Sequence, residues 1–168
     1  MLLTELHWVD GPWPGKLALA ARPRGGEWLE DEMAHWSVEG VDTIVSLLEA
    51  DEESDLDLAG EGSEARQRGM RFKSLPIGDR QVPESDIVFA KAIDELDREL
   101  GDGRNVLVHC RQGIGRTGLV AGSLFILKGF DPDVALARLS EARGIPVPET
   151  PEQRLWLHQH AEMLSSAQ

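Results

Sequence analysis

The segment 106–118, VLVHCRQGIGRTG, constrains the fold and the chemistry of this chain more than any other. Three apolar residues lead into His109 and Cys110, three glycines follow, and an apolar run begins at Leu119. This order predicts a buried strand, a tight loop and the start of a helix. Backbone N–H groups at a helix start have no partner within the helix and lie at the positive end of its dipole. The segment therefore predicts a phosphate-binding loop with a thiol at its centre.

The residue types in this loop suit nucleophilic attack on phosphorus. A cysteine at a helix start is commonly held as the thiolate, because its pKa is lowered there. Arg116 can donate two parallel hydrogen bonds to phosphate oxygens. We expect Thr117 to donate its hydroxyl to the sulfur of Cys110, and His109 to orient the loop through a hydrogen bond rather than to act as a base. The backbone that we expect to bind the phosphate oxygens comprises Arg111, Gln112, Gly113, Ile114 and Gly115.

The reaction also needs a proton donor, because displacement by sulfur leaves an alkoxide or phenoxide. Asp79 is the predicted general acid. It lies in LPIGDRQVPE, directly after a predicted strand (71–75) and before a predicted helix (84–100). The alternative is an ordinary turn residue, since Asp beside Gly and Pro is common in turns. Arg80 and Arg111 are predicted either to bind substrate or to be solvated.

Hydrophobic patterning predicts the rest of the fold. Strands are predicted at 17–20, 43–48 and 71–75, and helices at 28–38, 84–100 (closed by Gly101) and 119–127, with further helices opening at Asp131 and Thr150. Thr150 and Gln153 form a capping-box pattern, although Gln153 has the alternative role of placing a hydrolytic water. Strands that alternate with helices predict an α/β fold, with a mainly parallel, twisted sheet of about four to five strands and helices on both faces. Ligands bind beyond the carboxyl ends of such strands, where Cys110 lies.

Length, charge and cysteine content limit the possible classes of protein. At 168 residues we expect one domain, 1–168. The net charge of -13 argues against general binding to nucleic acid or to anionic membranes. One cysteine excludes an internal disulfide and suits a reducing compartment. We recognise no signal peptide and no bilayer-spanning run. We therefore expect a cytoplasmic monomer that needs no metal and no cofactor.

Residues 49–64 form an acidic segment with eight carboxylates and no Lys or Arg. Such charge runs are typical of solvated surface, so we predict an exposed loop or a short surface helix. The alternative is a patch that repels acidic partners. A local basic patch from Arg71, Lys73, Arg80 and Arg111 is also predicted, and it offers polyanions a binding surface despite the overall charge.

The motif HCRQGIGRTG fits the signature HCxxGxxR(S/T)G. The chain thereby resembles the cysteine-dependent protein tyrosine phosphatase superfamily, and in particular its small atypical dual-specificity phosphatases. Supporting segments, which extend the resemblance over nearly the whole chain, are WVDGPWPGKLALAARP, GVDTIVSLLE, LPIGDRQVPE and VPETPEQ.

The resemblance implies a protein tyrosine phosphatase-like fold and a cysteinyl-phosphate intermediate without a metal. It implies Cys110 as the nucleophile, Arg116 as the phosphate clamp and Asp79 as the acid. It also implies phosphorylated proteins as substrates. Phosphotyrosine is expected to be preferred, with a shallow site that is also open to phosphoserine and phosphothreonine.

Other interpretations of the same segment are weaker but distinct. Cys110 alone is compatible with an inert core residue. Gly113, Gly115 and Gly118 spell the dinucleotide-binding pattern GxGxxG, but Arg138 stands about where that pattern expects an acid. The Walker pattern fails because no Lys precedes Thr117. Two functional alternatives remain: a phosphoprotein-binding module without turnover, and the same chemistry on a phosphoinositide, a nucleotide or an RNA 5′-phosphate.

Overall fold

The computed structural model describes residues 2–166, and a five-stranded sheet forms the centre of that part. Its strands are β1 (His7–Val9), β2 (Leu17–Ala20), β3 (Thr43–Ser46), β4 (Arg71–Ser74) and β5 (Val106–His109), in the order β1-β2-β5-β3-β4. All neighbouring pairs are parallel except β1 and β2. The mainly parallel sheet predicted from the sequence is confirmed. The antiparallel edge strand β1 was missed, because three residues are too few to show a period of two.

Helices connect the four parallel strands, and within the described part of the chain four more helices follow β5. In residues 2–166 they are α1 (Leu29–Val38), α2 (Ala50–Asp55), α3 (Glu61–Gln67), α4 (Asp86–Gly101), α5 (Gly115–Leu127), α6 (Pro132–Arg143), α7 (Pro151–Gln159) and α8 (Ala161–Ser165). The caps predicted at Asp131 and Thr150 are confirmed, since each side chain accepts a backbone N–H of the first turn. Helix α4 ends at Gly101, the glycine predicted to close it, but Gly101 is not the left-handed residue of the cap. The positive φ of 88° belongs to Gly103, because the turn that leaves the helix is completed two residues later.

The two faces of the sheet carry separate apolar layers, because successive side chains of a strand point to opposite faces. Alternate strand residues, among them Leu17, Leu19, Val106 and Val108, pack with α4 to α8. The residues between them, including Ala18, Ala20 and Leu107, pack with α1 and α3. Helices therefore cover both faces, as predicted. The alternation also places His109 on the side of Leu107, toward α1 and α3.

Helix α5 lies in the larger of these layers, and all its residues are buried. This explains why its sequence is apolar on every side. Gly118 permits close packing there, because a Cβ at that position would lie 2.5 Å from Cγ1 of Val147. The buried helix holds its own N-terminus, and with it the loop from Cys110, at a fixed position beyond the carboxyl end of β5. In residues 2–166 no helix combines the length and the apolar character needed to cross a bilayer.

Candidate active site

Cys110 follows β5 directly, and the chain then turns into α5 through residues 110–116, which we call the Cys110 loop. Gly113 has a φ of 74°, and a Cβ there would lie 2.5 Å from the carbonyl carbon and oxygen of Ala20. Glycine is thus required both by its dihedral angle and by the close approach of β2. Within the described chain, no backbone N–H of residues 111–116 donates to another backbone group. These N–H groups remain available to an anion.

The thiol of Cys110 lies in a small cavity of about 30 Å³ at this loop. The hydroxyl of Thr117 donates a hydrogen bond to the sulfur across 3.1 Å. Cys110 is 3% exposed, and its sulfur faces a cavity that is also lined by Asp79 and Arg116. The interpretation of Cys110 as an inert core residue does not account for these polar neighbours. Larger grooves lie elsewhere on the surface, but they lack a nucleophile.

Arg116 is buried and is held from several sides. Its Nη1 donates to Oε1 of Glu52 across 2.6 Å and to the carbonyl of Ile77 across 2.8 Å. Its Nη2 donates to Oε2 of Glu52 across 3.0 Å and to Oδ1 of Asp79 across 3.1 Å. The pairing with Glu52 is bidentate, which fixes the plane of the guanidinium. Among the described residues the Nε–H of Arg116 has no hydrogen-bond acceptor, so this donor is available to a phosphate.

Charges around the guanidinium support this arrangement. Burial by itself lowers the pKa of Arg116, but the hydrogen bond to Glu52 and the negative charges of Cys110, Glu52 and Asp79 raise that pKa above its usual value. Burial likewise raises the pKa of Glu52, but the hydrogen bonds from Arg116, from the backbone of Glu49 and from Arg111, together with the positive charge of Arg116, outweigh burial and hold that pKa below its usual value. The pair is therefore ionised at neutral pH.

Glu52 belongs to the acidic segment, whose predicted solvation is wrong at two positions. The segment forms α2 and α3, and both Glu52 and Glu61 are buried. Glu52 pairs with Arg116, in the Cys110 loop, and Glu61 pairs with the imidazole of His109, directly before that loop. Because each carboxylate has such a partner, burial is tolerated despite the cost of desolvation.

His109 lies behind the loop, on the face of the sheet covered by α1 and α3. Its Nε2 is 2.6 Å from Oε2 of Glu61, and its Nδ1 is 3.4 Å from the carbonyl oxygen of Cys110. The ring packs near Trp36, with the ring centroids 5.9 Å apart. The structure thus places His109 against the backbone of the loop and away from the cavity, which is lined by other residues.

Asp79 reaches the cavity from the connection between β4 and α4. Its side chain is 49% exposed, and its carboxylate accepts from Arg116. The next residue, Arg80, has a φ of 61° and donates to Glu149 across 2.9 Å. Glu149 also lines the cavity, so this ion pair links its two rims. A groove of about 450 Å³ continues from Asp79 along Arg80, Gln81, Val82, Thr150 and Glu152.

Gln153 confirms the predicted capping box with Thr150. Its Oε1 accepts from the N–H groups of Glu149 and Thr150, and its Nε2 donates to the carbonyl of Gln81. It also lies against Gly115, where a Cβ would be 2.9 Å from Oε1 of Gln153. The side chain therefore ties α7 to the Asp79 connection and to the start of α5.

The predicted basic patch does not form. Arg71 and Lys73 lie on the edge strand β4 and pair with Glu99. Arg71 begins that strand, at the end of the sheet opposite to Cys110, because β3, β4 and β5 are parallel. Arg80 and Arg111 do lie near the cavity, but each is paired with a carboxylate.

Sequence reasoning missed three acids of this site, Glu52, Glu61 and Glu149. The acidic composition of residues 49–64 concealed the first two, since nothing in a run of carboxylates marks those that become buried. The sequence held one signal for Glu61. The alternation of side chains along β5 turns His109 toward the layer formed by α1 and α3, and Glu61 is the first residue of α3. No cluster of three or more His, Cys, Asp or Glu residues suited to a metal ion occurs in the part of the chain that the structure describes.

Comparison with known proteins agrees with this geometry. The family model described as "Polymorphic toxin system, DSP-PTPase phosphatase" matches residues 18–130, about two thirds of the chain. The putative tyrosine phosphatase 197R of Invertebrate iridescent virus 6 is 31% identical over 96 residues, which cover 55% of this chain and 35% of that protein. Human cyclin-dependent kinase inhibitor 3 is 32% identical over 104 residues, covering 60% and 48%. The chain thus spans about a third to a half of the length of these curated relatives.

Solved structures show the same fold. Kinase associated phosphatase, with its catalytic-site cysteine replaced by serine, superposes with a TM-score of 0.90 at 22% identity, covering 99% of this chain and 98% of that one. Tk-PTP in its active form superposes with a TM-score of 0.76 at 25% identity, covering 94% and 96%. The protein tyrosine phosphatase-like fold expected from the sequence is thereby confirmed.

Proposed function

Since the chain belongs to the family described as "Polymorphic toxin system, DSP-PTPase phosphatase", we propose that it is a protein phosphatase that works through a cysteinyl-phosphate. One observation supports this above all. The sulfur of Cys110 accepts a hydrogen bond from Thr117 in a cavity that also contains Arg116 and Asp79. The residues that we propose as nucleophile, phosphate clamp and acid thus lie together, beside backbone N–H groups that an anion can use.

In the first step a phosphate monoester binds with its oxygens on the N–H groups of the Cys110 loop and on the Nε–H of Arg116. It also competes with Asp79 for the Nη2–H of Arg116. The thiolate of Cys110 attacks phosphorus, the S–P bond forms, and the bond to the leaving oxygen breaks. Protonated Asp79 gives its proton to that oxygen, a contribution of roughly 10²–10⁴ to the rate.

In the second step Asp79, now a carboxylate, takes a proton from water as the water oxygen attacks phosphorus. The S–P bond breaks, inorganic phosphate leaves, and the electron pair returns to the sulfur of Cys110. Thr117 stabilises this thiolate as the leaving group. Neither step uses a metal ion or a cofactor.

Phosphorylated proteins are the proposed substrates, with phosphotyrosine preferred and phosphoserine and phosphothreonine accepted. The groove beside Asp79 offers room for residues that flank the phosphorylated one. Acids on the rim, Glu149 and Glu152, disfavour polyanions such as phosphoinositides, nucleotides and RNA 5′-phosphates. We further propose that the protein acts as a monomer in the cytoplasm, where a reducing environment keeps its one cysteine free.

The deciding experiment compares the protein with its Cys110→Ser variant. Hydrolysis of an aryl phosphate and of a phosphotyrosine peptide, both with EDTA present, is expected to vanish in the variant. Binding of vanadate or phosphate is expected to persist, which also reports a folded loop. Turnover that survives in Cys110→Ser rules out the cysteinyl-phosphate. Binding of phosphopeptides without turnover by the unchanged protein indicates a binding module instead. Parallel assays with phosphoserine peptides, phosphoinositides and nucleotides rank the substrate classes.

Asp79→Asn tests the acid. We expect kcat to fall by roughly 10²–10⁴ on phosphates with poor leaving groups, and less on activated aryl phosphates, whose leaving oxygen needs no proton. Asp86→Asn is the matched control, because Asp86 begins α4 after the same connection but does not line the cavity. Equal losses on both classes of substrate would remove Asp79 from the acid role.

A further inference from the structure

The imidazole of His109 lies between two oxygen atoms, and this arrangement fixes where its protons are. The carbonyl oxygen of Cys110, 3.4 Å from Nδ1, can only accept a hydrogen bond. Two lone pairs facing each other there would repel, so Nδ1 carries a proton. The 2.6 Å separation between Nε2 and Oε2 of Glu61 is short and requires a second proton between those atoms. The pair thus holds two protons and has no net charge, whichever partner carries the shared one.

Solvent cannot substitute for either partner of this pair. The side chains of His109 and Glu61 are 0% and 1% exposed. Oε1 of Glu61 is buried and has no hydrogen-bond partner among the described residues, so the carboxyl group depends on His109 alone. No other described residue forms a hydrogen bond with Nε2 of His109, so without Glu61 the ring proton is not held on Nδ1. The ring could then take the other tautomer, with no proton facing Cys110.

We propose that Glu61 is a positioning residue for the Cys110 loop, acting through the tautomer of His109. The C=O of Cys110 and the N–H of Arg111 belong to one trans peptide and point in opposite directions. The hydrogen bond from Nδ1 to that carbonyl therefore also sets the direction of the Arg111 N–H, one of the unpaired amides at the cavity. Glu61 touches neither the cavity nor the sulfur, and its effect passes through the backbone. This inference rests on the proposed function, because the loop it orients is the proposed phosphate site.

The test compares Glu61→Leu with Glu61→Gln. Leucine cannot bind Nε2, and we expect kcat/KM and vanadate affinity each to fall about tenfold, as for the loss of one hydrogen bond of ordinary strength. The amide of glutamine can donate to Nε2 and keep the proton on Nδ1. We therefore expect Glu61→Gln to stay within about threefold of the unchanged protein, which is below the effect of one such bond.

Glu99→Leu is the matched control. Glu99 is also buried in a helix and binds Thr43 across 2.6 Å, but it lies at the end of the sheet opposite to the Cys110 loop. We expect this variant to lose stability while it keeps kcat/KM and vanadate affinity. A Glu61→Leu variant that behaves like Glu99→Leu, or a Glu61→Gln variant as impaired as Glu61→Leu, overturns the proposal.

A second measurement needs no variant of Glu61 to fold. In ¹⁵N-labelled protein at neutral pH, Nδ1 of His109 is expected to show the chemical shift and coupling of a protonated nitrogen. His109→Asn serves to assign its signals. An unprotonated Nδ1 overturns the proposal. Vanadate affinity and the imidazole signals are measured without turnover, so they test Glu61 even if the unchanged protein hydrolyses no phosphate ester. Such a protein would contradict the proposed function separately.

Discussion

The Cys110 loop and the acidic segment meet at Arg116, but they are held in place by different means. The loop depends on its backbone, because Gly113 has a positive φ and lies against Ala20. The acidic segment depends on side-chain pairs, in which Glu52 and Glu61 bind Arg116 and His109. The thiol is therefore placed by chain geometry, whereas the groups around it are oriented by carboxylates from elsewhere in the sequence.

The largest effect is expected where both regions act on one residue. Arg116→Lys removes the planar fork that binds Glu52 and offers a phosphate only a point charge. We expect kcat/KM on an aryl phosphate to fall by about 10³-fold, measured with the folded protein. Arg68→Lys, at an exposed ion pair with Glu30, is expected to leave kcat/KM unchanged. If Arg116→Lys keeps a tenth or more of the activity, both regions matter less than the structure implies.

The loop side alone is tested by Gly113→Ala. A Cβ there meets Ala20 at 2.5 Å, so the loop must shift, and a displacement of about 1 Å costs roughly 10²-fold in rate. Gly103→Ala has a similar positive φ of 88° but no atom within 4 Å. It should therefore show the stability loss of a strained alanine without the kinetic loss. Similar kcat/KM values for the two variants would show that backbone contact does not place the thiol.

The acidic side alone is tested by Glu52→Gln. It removes the buried, bidentate counter-charge of the Arg116 guanidinium and leaves only the half-exposed carboxylate of Asp79, which we expect to lower the free energy of unfolding by about 3 kcal/mol. The carbonyl of Ile77 still accepts from Arg116, so kcat/KM should fall only about tenfold. Urea denaturation and steady-state kinetics measure the two quantities. A large loss of kcat/KM with an unchanged free energy of unfolding would indicate that Glu52 takes part in the reaction directly and does not merely hold Arg116 in place.

The smallest expected effect is the pH dependence of the contribution that Glu52 makes to the free energy of unfolding. The pKa of Glu52 is lowered in the folded protein, because the hydrogen bonds to its carboxylate and the positive charge of Arg116 together outweigh burial. Its contribution is therefore present above the usual glutamate pKa and is lost as the pH falls through the folded value. The difference in unfolding free energy between the unchanged protein and Glu52→Gln should be largest at neutral pH and should narrow in acid. A difference that does not change with pH would contradict the ionised pair.

Much of the fold could be predicted from local pattern. Strand 17–20 is confirmed at its predicted bounds, and α1, α4 and α5 were recognised from their apolar residues. The C-terminal ends of α1 and α5 are as predicted, and the other four ends moved by one to four residues, because terminal turns depend on caps and on neighbouring elements. The strand β1 was missed, since it exists only by pairing with β2. The group of residues proposed to carry the chemistry was recognisable because Cys110, Arg116 and Thr117 lie within eight consecutive residues.

The buried strand, the glycine-rich turn, the helix start and the thiol between them follow from local sequence, because they depend on neighbours within a few positions along the chain. Which of the eight acids in residues 49–64 are buried, and against which partners, depends on long-range packing. A carboxylate is buried where the fold brings a cation or an imidazole to it. These partners are distant in sequence: Glu52 and Arg116 are 64 positions apart, and Glu61 and His109 are 48 positions apart.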